Sequence, residues 1–147
     1  MGLAAIGEPA VVSEFAETAR SEYVAVGLRA AIHPQIDLAS DPRWARQLQS
    51  FSSNSAVTSE FGGALLIAGL QGQKLSSTSV ACTAKHFPGG GGAQEDGEDP
   101  HFPQGKAQVY PGGNFEEHLA PFRAAITAGT SAIMPYYSLA KDWSLTV

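Results

Sequence analysis

Apolar runs of strand length alternate with stretches whose apolar residues recur at helical spacing, and Gly, Pro, Asn or Asp punctuate the boundaries. That alternation predicts an α/β chain with about four strands and three helices, the strands parallel and joined by right-handed crossovers. The 147 residues are enough for one modest domain with a real core. At this length a doubly wound sheet is the default arrangement.

Taken in order, Gly2 to Ile6 is short and apolar and predicts a first strand. Pro9 suits the first turn of a helix, after which Val12, Phe15, Ala16, Ala19, Tyr23 and Val26 recur at helical spacing until Gly27. Leu28 to Leu38 alternates loosely and is rich in small and branched residues, predicting a strand that ends near His33 to Asp37. Asp41-Pro42 opens a loop. Val57, Phe61, Leu65 and Ala68 mark a helix face over Ser55 to Leu70, bounded by Gly69 and Gly72. Gly62 and Gly63 each weaken that helix by about 1 kcal/mol relative to alanine, so tertiary packing has to support it. Ser79 to Phe87 is the next strand. Asn114 and Glu117 have the spacing of a capping box, Leu119, Phe122 and Ile126 form one stripe, and Gly129 supplies the stop. Ser131 to Tyr137 predicts the last strand.

Composition removes some function classes. Hydrophobic residues make up 44% and charged residues 16%, ordinary for a globular chain. A net charge of −5 argues against nucleic acid, which needs a basic face. No apolar run approaches the roughly 18 residues of a membrane span, and Met1 is not followed by a charged segment and a long apolar one, so no signal peptide is read. The compartment stays open. The single cysteine, Cys82, excludes an internal disulfide and falls inside a strand, where an inert buried thiol is expected.

The chemistry concentrates in Thr83 to His101, TAKHFPGGGGAQEDGEDPH. A strand ending in such a loop places Lys85 and His86 at a mouth that ligands reach. A phosphate loop needs its lysine after the glycines, whereas Lys85 precedes them and Glu95, Asp96, Glu98 and Asp99 follow. A metal site would draw on His86, Asp99 and His101, but zinc spacing is absent, and no metal or other cofactor is expected. A hydroxylated ligand fits better, because Lys85 offers three donors and neutral His86 one donor and one acceptor. The plainer alternative is a snorkelling lysine beside a satisfied core histidine.

KHFPGGGG, preceded by DPRWAR (Asp41 to Arg46), GLQG (Gly69 to Gly72) and VAC (Val80 to Cys82), and followed by IMPYYS (Ile133 to Ser138), resembles the N-terminal domain of glycoside hydrolase family 3. Order and spacing both match, over nearly the whole chain. The resemblance implies that residues 1–147 are part of a (β/α)8 TIM-type barrel domain, whose full form takes about 250 residues, rather than a doubly wound sheet. It implies a glycosidase of β-glucosidase type that hydrolyses terminal non-reducing β-D-glucosyl residues, with a small carbohydrate as partner. The alternatives are a non-catalytic carbohydrate-binding remnant and a small α/β binding module. An incomplete barrel leaves open sheet edges and an uncovered apolar interior. The expectation is therefore a fragment or truncation completed by a second copy or by the missing barrel half.

By the same resemblance, Lys85 and His86 match the pair that holds the non-reducing sugar, and Arg46 matches the arginine that reaches it. Ala45 stands where the family has glycine. Trp44 is read as a packing residue, Arg43 as an ion-pair residue, and Tyr136-Tyr137 either lines the pocket or caps its strand. Asp142-Trp143 resembles the Asp-Trp of the family's nucleophile motif, but without the intervening helix and strand. Asp99-Pro100-His101 is similar to the Asp-x-His acid/base dyad of bacterial β-N-acetylhexosaminidases in the family, although a solvated acidic loop explains it as simply. Retaining hydrolysis needs two carboxyl groups about 5 Å apart, and the chain is expected to lack them in their usual places. Neighbours in a regular strand point to opposite faces, so a shared sugar demands a break in the strand between Lys85 and Phe87.

Overall fold

The computed structural model describes residues 1–97, 101–103 and 106–141. Three parallel strands form the sheet among them: β1 (Ala30–Ala31), β2 (Ala81–Phe87) and β3 (Ala132–Pro135), in the spatial order β1-β2-β3. The helices are α1 (Gly2–Ile6), α2 (Pro9–Ala25), α3 (Ser55–Thr58), α4 (Ile67–Gln71) and α5 (Phe115–Thr127), with a π-helical stretch, Ser59–Leu66, joining α3 to α4. Strands that follow one another in both sequence and space, each crossover carrying a helix, place those helices on one face of the sheet. The side chains agree. Val12 and Ala16 of α2, Phe61, Leu66, Ile67 and Leu70 of the middle helix, and Phe122 and Ala125 of α5 all pack with Cys82 and Ala84 of β2. Order without reversal and helices on one side are the features of a barrel segment, not of a doubly wound sheet.

The opposite face of the sheet is open. Thr83 and Lys85, which alternate with Cys82 and Ala84, are only half buried, and Ile32 is 60% exposed. No helix among the described residues is long and apolar enough to cross a membrane.

Gly2 to Ile6 is a helix, not the expected strand, so the sheet has three strands among the described residues rather than four. Five apolar residues carry too little periodicity to separate helix from strand, and the choice is made by packing, since Leu3 and Ala4 rest against the core cluster. The strand expected over Leu28 to Leu38 is short as a regular element because Pro34 has no N–H to donate. Its pairing with β2 nevertheless persists, through Thr83 N–H to His33 O (3.1 Å), Lys85 N–H to Pro34 O (3.0 Å) and Ile36 N–H to Lys85 O (2.7 Å). The capping box at α5 does not form: Asn114 makes no side-chain cap, and the Glu117 carboxylate instead accepts from the Ser55 hydroxyl.

The helical glycines are contact points. A Cβ on Gly69 would lie 2.4 Å from Ala16 Cβ, and one on Gly63 would lie 2.7 Å from Pro121 O. These close approaches let α2 and α5 lie directly on the middle helix, which is the tertiary support the glycines require.

Candidate functional site

The sequence Asp41 to Arg46 folds as a tight turn. Asp41 accepts from the Arg43 backbone N–H at 2.8 Å and from its guanidinium at 2.7 Å, which holds the Asp41 carboxyl below the usual carboxylate range. Arg43 is thus the ion-pair residue expected. Trp44 is 1% exposed and lies under the glycine loop, where a Cβ on Gly91 would meet its ring at 2.4 Å. Ala45 needs no glycine, since Asp96 is the only non-glycine residue with positive φ among the described residues. The turn ends at Arg46, whose carbonyl accepts from the Gln35 side chain (3.0 Å) and whose guanidinium is steadied by Gln49 Oε1 at 3.1 and 3.3 Å.

β2 brings Lys85 and His86 to the same end of the sheet. The strand extends to Phe87, but its ladder with β3 pairs Lys85 with Met134 and Phe87 with Pro135, skipping His86. The register therefore shifts between Lys85 and Phe87, and the Lys85–His86 peptide bond is cis. Both side chains line one cavity of about 220 Å³, together with Arg46, His101, Tyr136 and Tyr137. Arg46 Nη1 stands 3.2 Å from His86 Nε2, although the two residues are 40 positions apart.

Burial is the first cause that lowers the pKa of Lys85. Repulsion from Arg46 adds to it and the Asp37 carboxylate opposes it. The cavity wall is aromatic: the His86 ring lies 4.8 Å from that of Tyr136, and His101 lies 4.9 Å from Tyr137 in an edge-on arrangement. Of the two uses left open for Tyr136-Tyr137, both residues line the cavity. Ile32 and Met134 supply an apolar portion.

Asp37 was not singled out from the sequence, yet it organises the site from beneath. It is fully buried. Its Oδ2 accepts from the backbone N–H of His86 at 3.0 Å and stands 3.0 Å from the ring Nδ1 of the same residue, while Oδ1 accepts from the Gly91 N–H, also at 3.0 Å. The one clue to it in the sequence is an acidic residue inside the otherwise apolar segment Ile36 to Leu38; a carboxylate there must be paired.

Asp99 and Asp142 lie outside the described residues. His101 is described and exposed, at the cavity edge. No carboxylate is among the described residues that line the cavity, and no group of three or more His, Cys, Asp or Glu is placed to hold a metal among the described residues. A separate depression of about 300 Å³ beside Ser40 and Tyr110 mixes apolar and polar residues. Two of its charged side chains, Asp41 and Arg43, pair with each other, and a third, Asp96, pairs with Lys106, so it presents fewer groups to a ligand.

Known proteins resemble this chain over most of its length. Probable β-glucosidase C of Aspergillus flavus is 57% identical over 141 residues, which is 94% of this chain and 22% of that protein. Among solved structures, a family 3 β-N-acetylglucosaminidase from Paenibacillus superposes with a TM-score of 0.80 at 29% identity, over 95% of this chain and 25% of that one. A mutant β-glucosidase from Listeria innocua in complex with laminaribiose superposes with a TM-score of 0.75 at 27% identity, over 90% and 18%. This chain thus spans a quarter or less of the length of each. The family described as "Glycosyl hydrolase family 3 N terminal domain" matches residues 1–144. With its order of parallel strands and its KHFPGGGG loop, the chain belongs to glycosyl hydrolase family 3, within the N-terminal domain of that family.

Proposed function

We propose that this chain forms the sugar-holding part of a glycosidase of β-glucosidase type, acting on terminal non-reducing β-D-glucosyl residues. The observation that carries the reading is the meeting of Arg46, Lys85 and His86 in one cavity from distant points of the chain. A neutral sugar presents many oxygen acceptors and hydroxyl donors, and two fixed cations with one imidazole match that pattern. The aromatic rings of Tyr136 and Tyr137 supply a surface suited to the apolar face of a pyranose.

Hydrolysis needs two carboxyl groups, a nucleophile and an acid/base. None is among the described residues that line the cavity; in this proposal those residues bind and orient the sugar, at least one carboxylate comes from further chain, and Asp142 or the Asp99–His101 dyad is the candidate for the other. The open face of the sheet is covered, in this proposal, by the remaining barrel strands or by a second copy.

Titration calorimetry with D-glucose tests the reading. Binding by the wild-type chain, weakened roughly tenfold or more by Arg46→Ala and by Lys85→Ala, is the expected outcome, since each removes charge-assisted hydrogen bonds. Turnover of an aryl β-D-glucoside by the chain alone should be negligible. Absence of binding, binding indifferent to both substitutions, or ordinary turnover would overturn the proposal.

A further inference from the structure

We infer that Asp37 is a positioning residue that fixes the tautomer of His86, so that the imidazole faces the cavity as a hydrogen-bond acceptor between two cationic donors. A guanidinium has five N–H donors and no acceptor. Arg46 Nη1 at 3.2 Å from His86 Nε2 therefore requires a bare lone pair on Nε2. A neutral imidazole carries one N–H, which this contact leaves on Nδ1. The other end of the ring gives the same answer independently: Nδ1 stands 3.0 Å from Asp37 Oδ2, and an ionised carboxylate only accepts.

Asp37 fixes more than the ring. The same Oδ2 takes the His86 backbone N–H, and Oδ1 takes that of Gly91, so one carboxylate joins the residue that faces the ligand to the glycine loop behind it. There is no slack in this arrangement. A Cβ on Gly91 would lie 2.8 Å from Asp37 Oδ1 and 2.4 Å from the Trp44 ring, and Asp37 is fully buried. Tyr136 packs on the imidazole with centroids 4.8 Å apart, which restricts its rotation.

The consequence is a directional code at the cavity, which rests on the sugar-holding reading above. Lys85 and Arg46 can only donate. His86, in this tautomer, can only accept. A ligand hydroxyl that takes the place of Arg46 at His86 Nε2 gives its hydrogen to that nitrogen and receives one from Lys85 or from the released Arg46 guanidinium, and such chains of hydrogen bonds reinforce one another. A group that only accepts, such as a methyl ether at that position, loses the contact to His86.

Nitrogen NMR of the His86 ring in the ligand-free chain tests the tautomer without reference to any sugar, with the proton expected on Nδ1 in the wild type. Asp37→Leu, similar in shape and unable to accept, leaves a buried Nδ1–H without a partner, so the ring proton should move toward Nε2 and Arg46 should leave it. Asp37→Glu, which keeps a carboxylate, should restore the Nδ1–H form in part. In calorimetry, Asp37→Leu should weaken D-glucose binding roughly tenfold, the effect of one charge-assisted hydrogen bond, while 3-O-, 4-O- or 6-O-methyl glucose identifies the hydroxyl that meets His86. A wild-type ring protonated on Nε2, or a Leu variant that keeps the Nδ1–H form or the wild-type affinity, overturns the inference. An Nδ1–H tautomer lost in the Leu variant supports the positioning role even if the wild-type chain binds no glucose, in which case it is the sugar-holding reading that fails.

Discussion

Gly69 is where a conformational liability becomes a packing requirement, and replacing it gives a measurable test of the fold. In Gly69→Ala the new Cβ would lie 2.4 Å from Ala16 Cβ, a fully buried methyl on α2. Carbon atoms pack at about 3.5–4.0 Å, so α2 and α4 would have to separate by about 1 Å or more. Both clashing atoms are attached directly to helix backbone, so no side-chain rotation relieves the contact. Overpacking of this kind costs about 1–3 kcal/mol, and the severity of the overlap puts Gly69→Ala at the upper end. Alanine returns about 1 kcal/mol through its better helix propensity, leaving a net loss of about 1–2 kcal/mol. For a chain of this length that lowers Tm by about 2–8 °C. Urea and thermal unfolding followed by circular dichroism measure it. Ala16→Gly, destabilising alone, should be markedly less so in the Gly69→Ala background, because it removes the clashing methyl; the double-mutant cycle isolates that coupling. If Gly69→Ala is as stable as the wild type, or the two changes are additive, the close approach is not what keeps glycine at this position.

Acid should destabilise the chain early. His118, whose Nδ1 lies 2.9 Å from Gly89 O, and His33 have pKa values held below the ordinary 6.5 chiefly by burial. The unfolded chain then binds more protons than the folded one just below pH 6.5, so these groups favour the folded state above that value and the stability is lost as pH falls through and below it. The urea midpoint should drop between about pH 7.5 and about pH 5, and His118→Asn, which keeps a donor toward Gly89, should flatten the drop; a midpoint independent of pH in that window contradicts the assignment. Cys82 is 1% exposed and burial pushes its thiol up to about 12, so a disulfide reagent at mildly alkaline pH should label it only as fast as the sheet opens. Rapid stoichiometric labelling of the native chain would show that β2 is not sealed under the helices.

Much of the fold was legible in the residues because it rests on local rules. Pro9, the apolar spacing after it and Gly27 delimit α2. Gly129, with φ of 81°, closes α5 as its place after an apolar stripe indicates. Arg46, Lys85 and His86 were legible by resemblance, as members of matching motifs. The capping box is absent, and the Glu117 carboxylate accepts from the Ser55 hydroxyl 62 positions away, a partner that no local rule contains.

The sequence by itself determined the alternation of helices and strands, the net negative charge, and a loop carrying a lysine and a histidine side by side. These follow from side-chain chemistry and near-neighbour spacing, which survive without knowledge of the packing. Only the tertiary structure decided that Gly2 to Ile6 coils, that glycines at 63 and 69 are seats for neighbouring helices, and that Asp37 reaches across 49 residues to hold His86. Each of those depends on which atoms lie opposite one another once the crossovers close. A buried carboxylate or a bare Cα takes its meaning from that partner and not from its place in the chain.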